Sequence, residues 1–270
     1  MTDKRILDSK AADKYVKSLM TIPEDIRIIG PKSFKGKAQI KTAVLSPNTL
    51  AIMPSAFEGC AHLRRIHHGD HVKTIGRAAF KDCYHLMWFE LSEKIEVIEA
   101  ETFQNCKNMT EVKIPQDSLL KMIRESAFEN CQTLKKIKLP DTIETLEPCC
   151  FARTKGLKNI HLSNKIVEIP QRAFYFSGLV GIDLPQRLTT IREEAFYVCK
   201  FLQFVKIPET VRHIGSKAFK SARDLKIIEI EGNPEYLGEQ IISRNTLVKC
   251  HRGTSVDAYS QENGITTEYI

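Results

Sequence analysis

Residues Val72–Ser92 read VKTIGRAAFKDCYHLMWFELS, and the pattern in that stretch decides the fold. An isoleucine (Ile75) stands five places before a phenylalanine (Phe80). A small residue (Ala79) precedes the phenylalanine, a cysteine (Cys83) follows three later and a leucine (Leu86) six later. The same arrangement returns around Phe34, Phe57, Phe103, Phe128, Phe151, Phe174, Phe196 and Phe219, at spacings of 23, 23, 23, 25, 23, 23, 22 and 23. A fixed period of this length is the mark of a stacked repeat.

The other columns move with the phenylalanine. Ile29, Ile52, Ile98, Ile123, Leu146, Ile169, Ile191 and Ile214 lie five before it. Cys60, Cys106, Cys131 and Cys199 lie three after it, with Thr154, Ser177 and Ala222 as small substitutes. Leu63, Met109, Leu134, Leu157, Leu202 and Leu225 lie six after it, and Leu179 arrives one residue early. The stretch that follows alternates, as in Leu134-x-x-Ile137-x-Leu139-Pro140, which predicts a short strand with one buried face. The Ile-x-x-x-Ala-Phe-x-x-Cys segment has spacing suited to one helical or 3-10 turn. One such unit cannot bury its apolar side alone, so successive units stack their strands into a parallel sheet ~4.8 Å apart. The predicted fold is a repeat solenoid: a horseshoe or arc with a parallel sheet on one face and short turns on the return. The two extra residues between Pro115 and Phe128 are expected to bulge at a turn around Gln116–Met122.

These units, with Val211–Ile230 (VRHIGSKAFKSARDLKIIEI), resemble the BspA-like class of leucine-rich repeats over about residues 21–232, and the closing HRGTSVDAYSQENGITTEYI is similar to the end unit of such proteins. The resemblance implies a leucine-rich-repeat horseshoe and a surface or secreted adhesion or recognition role. The organisation expected is an N-terminal helical cap over 1–20, nine repeats over 21–232 and a C-terminal capping unit over 233–270. In the first, Ala12, Tyr15, Val16, Leu19 and Met20 share a helical face after Asp8 or Ser9. In the last, Ser255 is placed to cap a short helix that Gly264 ends, with a strand over Ile265–Ile270.

Composition adds bounds. The 270 residues are 42% hydrophobic and carry a formal charge of +7, compatible with an acidic protein or a nucleic acid and decisive for neither. No apolar stretch approaches the ~18 residues of a membrane span. The first twenty residues hold no apolar leader core, so the cytoplasm is the expected location and an adhesin is the reading if a leader has been trimmed away. Eight cysteines without a leader read as free buried thiols. Thr, Ser and Ala share their column, which a size requirement explains and a metal-ligand requirement does not. His62 and His85 share a column and are expected to stand one above the other; two imidazoles without a spaced carboxylate or cysteine are a weak metal site. Nucleotide-binding glycine loops, G-x-S-x-G and H-E-x-x-H are absent, so no enzyme and no cofactor are expected.

Alternation identifies the solvent face of the strands, eight and ten residues after each phenylalanine. Its expected anchors are Arg65, Trp88 (the single tryptophan) and Phe204, because aromatic and arginine side chains dominate interfaces. Around them lie Glu90 and His161 and a central basic group of Lys113, Lys136, Lys138 and Lys206. The function read from this face is a non-catalytic scaffold, adaptor or inhibitor in type, that binds another protein. The alternative is a nucleic acid or other polyanion held on the lysines. Packing of Trp88 against its neighbours, and plain solvation of the lysines, are the structural readings of the same residues.

Overall fold

The computed structural model describes residues 6–270; the first five residues of the expected N-terminal cap lie outside the described residues. Each repeat forms one coil of a solenoid, and most coils carry two strands, not one. The expected strand is present: Thr42–Val44, Arg65–His67, Trp88–Glu90, Glu111–Lys113, Lys136–Ile137, Phe204–Ile207 and Ile227–Ile230 run parallel, coil above coil. The isoleucine column forms a second parallel ladder of two-residue strands, from Ile6–Leu7 through Thr74–Ile75 and Thr145–Leu146 to Tyr236–Leu237. In each, the second residue points inward; Ile29, Ile52 and Ile169 are fully buried.

The return from the second strand differs from the single helical or 3-10 turn that its apolar spacing predicts. Local i→i+3 bonds do form, from Ala56 to Met53, Glu58 to Ser55 and Cys60 to Phe57. The alternate N–H groups point to the next coil instead: Ser55 to the Arg77 carbonyl, Phe57 to Ala79 and Gly59 to Lys81, at 2.8–2.9 Å. A left-handed residue two before the phenylalanine and another two after it produce this alternation, as at Ser55 (φ 58°) and Gly59 (φ 71°). A positive φ halts a right-handed helix and turns the amide outward along the stack.

The phenylalanines fill the centre of every coil. From Phe34 to Phe219 each ring stacks on the next at centroid distances of 5.0–5.7 Å and interplanar angles of 3–17°. All nine are fully buried. The cysteine column adds a second ladder: the thiols of Cys60, Cys83, Cys106, Cys131 and Cys199 donate to the phenylalanine carbonyl one coil back, at 3.0–3.3 Å. Thr154 in the same column donates instead to the Phe151 carbonyl of its own coil at 2.7 Å, and the Ser177 hydroxyl meets the Cys199 thiol at 3.3 Å, so the column selects small size rather than one bond.

The longer departure from the 23-residue period is absorbed at a turn, the shorter one in the outward strand. Gln116 and Asp117 are exposed and Leu120 returns to the core, so the two extra residues bulge outward. The outward strand is lost in the coil of Phe151 and in the short unit after it, where a single bridge between Gly181 and Phe204 aligns the two positions one residue out of period. The strand face is therefore built as three hydrogen-bonded segments, ending at Arg65–His67, spanning Trp88 to Ile137, and starting at Phe204.

The ends differ in detail from the helical pattern over residues 9–20. Asp8 caps the helix as expected, accepting from the Ala11 amide at 2.8 Å, but the helix is only Ser9–Ala12, followed by a 3-10 turn Asp13–Tyr15. Leu19–Thr21 is already a strand paired with Thr42–Val44, so Met20 is buried while Leu19 stands 61% exposed. Pairing with the neighbouring coil defeats helix continuation there, because the strand satisfies its amides. At the other end Thr254, not Ser255, caps the helix Ser255–Asn263, and Gly264 ends it at φ 64°. Ser255 instead donates to the Pro234 carbonyl at 2.7 Å. Val256 joins the common core, and Thr267–Tyr269 adds a final strand beside Leu247–Cys250.

Candidate binding surface

The strand alternation places Arg65, Glu90, Lys113, Lys136, Lys138, His161, Phe204 and Lys206 on the exposed side, with Trp88 half-buried among its neighbours. Between them Ile66, Phe89, Val112, Ile137 and Val205 point into the core. The backbone that carries the outward side chains is paired on both sides at Glu111–Lys113, while the strands of Arg65, Trp88, Lys136 and Phe204 stand at the ends of their segments and Lys138 and His161 lie outside the strands.

Trp88 is the best-defended element of this face. Its ring meets His67 edge-on at 6.0 Å on one side and lies under the Lys113 ammonium at 5.5 Å on the other. Glu111 is its register partner in the next strand, and Glu90 is the register partner of Lys113. A shallow depression opens beside the ring, lined by His67, His68, Asp70, Glu90 and Glu93. His68 closes the join between two segments of the sheet, with its ring nitrogens 3.0 Å from the Gly69 carbonyl and 2.7 Å from the Glu90 carbonyl.

The basic group does not form one patch. Lys206 is 2.9 Å from Glu229 and 2.8 Å from Glu231, and those carboxylates, Glu231 first, hold its ammonium pKa above the ordinary lysine value. The pairing extends along the register as Lys206, Glu229, Lys249 and Glu268, a row of alternating sign closed by the Lys249–Glu268 pair at 2.7 Å. His161 is engaged with Asp141 at 3.0 Å. Lys138 lies two residues beyond Lys136 on the same coil, Lys113 lies on the neighbouring strand, and Glu111 is the register partner of Lys136.

Phe204 has company that the column reading did not single out. Its register partners Ile227 and Leu247 also face outward, making an apolar row across three coils beside the alternating charges. The signal was three apolar residues at one outward position. Trp88 and Phe204 share the face but stand five coils apart, about 24 Å at the ~4.8 Å strand spacing. His62 and His85 do stand one above the other, at 5.7 Å, with one nitrogen of His85 at 2.8 Å from the Ala61 carbonyl. No group of three or more His, Cys, Asp or Glu side chains suited to a metal occurs among the described residues.

The BspA type leucine rich repeat region matches the chain in 6 copies, over residues 12–134 and 121–249. A leucine-rich repeat protein from Bacteroides ovatus is similar at 21% identity and a TM-score of 0.57, over 93% of this chain and 83% of that one. A leucine rich cell surface protein from Faecalibacterium prausnitzii is similar at 18% identity and a TM-score of 0.54, over 97% and 82%. The pneumococcal vaccine antigen PcpA follows at 16% identity and a TM-score of 0.50, over 98% and 91%. At these identities the likeness is one of fold. No curated protein matches the chain.

Proposed function

The chain belongs to the BspA-type leucine-rich-repeat family, and from that premise we propose that it is a non-catalytic recognition scaffold that binds another protein through the outward side of its longer strands. The observation that carries the reading is Trp88. A large aromatic ring is held between His67 and Lys113 on a rigid sheet, beside a depression edged by carboxylates. Preorganised aromatic and charged anchors of this kind lower the ordering cost of association and concentrate affinity in few residues. Arg65, Glu90, Lys136 and Lys138 surround that centre, and Phe204 with Ile227 and Leu247 forms a second apolar contact farther along.

The engagement of Lys206 with two glutamates and of His161 with Asp141 weighs against the polyanion reading of this face, because it leaves a short run of lysines interleaved with Glu90 and Glu111. Eight free cysteines, seven of them buried, suit an adaptor or inhibitor working in a reducing compartment. Among the described residues no helix is long and apolar enough to cross a membrane. The test is capture from native lysate by wild type and by a Trp88→Ala, Lys136→Glu, Lys138→Glu variant, with and without nuclease. A protein retained by wild type alone and insensitive to nuclease supports the reading; identical captures by both proteins refute the choice of face.

A further inference from the structure

The turn edge of the solenoid carries a second group of aromatic and basic side chains, away from the strand face. Three consecutive coils supply it, those of Phe151, Phe174 and Phe196. Tyr175 stacks on Tyr197 at 5.8 Å and lies 6.0 Å from Phe176. Arg153 stands over Tyr175 at 5.4 Å, and Lys155 and Lys200 stand over Phe176 at 5.6 and 5.3 Å. Lys158 lies over Phe201, a ring left 49% exposed, at 4.4 Å. Arg172 also touches Tyr175 but is held by Glu194 at 2.6 Å. Arg153, Lys155, Lys158 and Lys200 take part in no ion pair found among the described residues.

A second, independent observation comes from the backbone. The position two after each phenylalanine is left-handed in every coil, and the first five coils fill it with residues that tolerate this: Gly36, Gly59, Asp82, Asn105 and Asn130, at φ 61–72°. Asp82, Asn105 and Asn130 also link side chain to side chain at 2.7 Å up the column. That ladder stops where the aromatic group begins. The next three coils place Arg153, Phe176 and Val198 in the same conformation, at φ 57–60°. In these three coils bulky side chains replace the glycine, aspartate and asparagine that suit the conformation, and two of the three, Arg153 and Phe176, belong to the aromatic and basic group.

We infer that this turn edge binds single-stranded nucleic acid, with bases stacked on Tyr175, Phe176 and Phe201 and phosphates taken by Arg153, Lys155 and Lys200. Rings at the surface, half-buried at Tyr175 and Phe176 and exposed at Phe201, interleaved with flexible cations are the combination that holds an unpaired strand without reading its sequence. The ammonium groups now over the ring faces swing to the phosphates while bases take their places. A duplex has no free base faces to offer, and an acidic peptide satisfies the cations but leaves the rings uncovered.

The test is fluorescence anisotropy with a labelled oligodeoxythymidylate of about twelve nucleotides, using the full chain. Wild type binds, and log K falls linearly with log salt at a slope of roughly −2 to −3. Phe176→Asn, which restores the residue type of Asn130, unfolds at the same or a higher denaturant concentration yet binds at least about fivefold more weakly. Lys155→Gln with Lys200→Gln lowers the salt slope by roughly 1.4. Trp88→Ala binds the oligonucleotide like wild type, which separates this edge from the strand face. The inference is overturned if wild type does not bind, if Phe176→Asn binds as tightly, if a duplex of equal length binds more tightly, or if oligoglutamate competes as well as the nucleic acid.

Discussion

The thiol of Cys106 donates to the carbonyl oxygen of Phe80, 3.3 Å away and one coil back, and the same bond recurs up the column. The thiols are therefore part of the coil-to-coil bonding and stay protonated. Burial pushes Cys83 and Cys106 well above the usual thiol value and Cys60 and Cys199 up to about 12.

Stability should fall in alkali for this reason. A thiol whose folded value is raised favours the folded state fully below the unfolded value of 9.0, and that contribution is lost as pH climbs from there toward about 12. Urea unfolding at pH 7, 9 and 10.5 is expected to show a declining midpoint, and the Cys60→Ala, Cys199→Ala variant a shallower decline. A midpoint unchanged above pH 9 contradicts the buried-thiol ladder. With a thiol reagent at pH 8, half-buried Cys149 should react first.

The core predicts a contrast with the surface. Phe103 stacks between Phe80 and Phe128 and is fully buried, as is Leu134. Phe103→Ala is expected to cost about 3–5 kcal/mol and Leu134→Ala about 2–5 kcal/mol in denaturant unfolding. A change below ~1 kcal/mol at either site is incompatible with the stacked register.

Trp88→Ala is expected to leave the unfolding midpoint nearly unchanged, since substitutions on the outward face away from buried features usually stay within about 0.5 kcal/mol. Because Trp88 is the single tryptophan, a partner seated on this face should also alter its fluorescence. Stability lost on the scale of Leu134→Ala would make the ring a packing element instead.

Val198 is a β-branched residue at φ 60°. Replacing it with asparagine, the residue at 105 and 130 in the same conformation, should raise stability by about 1 kcal/mol, the scale of strain at such a position. The reverse change, Gly59→Val, should lower it by a similar amount or more. Thermal unfolding of the two variants reads both signs.

What the chain's own pattern determined is which side of each segment is buried. The phenylalanine, leucine and cysteine columns, the stacking of the units and the outward positions of Trp88 and Phe204 all follow from a period that repeats within about 23 residues. Burial leaves such a trace because each coil must hide the same positions from water. The second ladder of strands left none, since a two-residue strand has no period and its bonds run only between coils. The left-handed turn position left only a partial trace, in Gly36, Gly59, Asp82, Asn105 and Asn130, because Arg153, Phe176 and Val198 break the preference in the next three coils. Neighbours on the surface were decided last of all. Lys206 faces Glu229 and Glu231, Lys113 covers Trp88, and Arg153 reaches Tyr175 only because stacking brings residues some 22–25 positions apart to within a few ångströms. Periodicity states which residues share a face; the rise and register of the stack decide which charges cancel and which rings remain open.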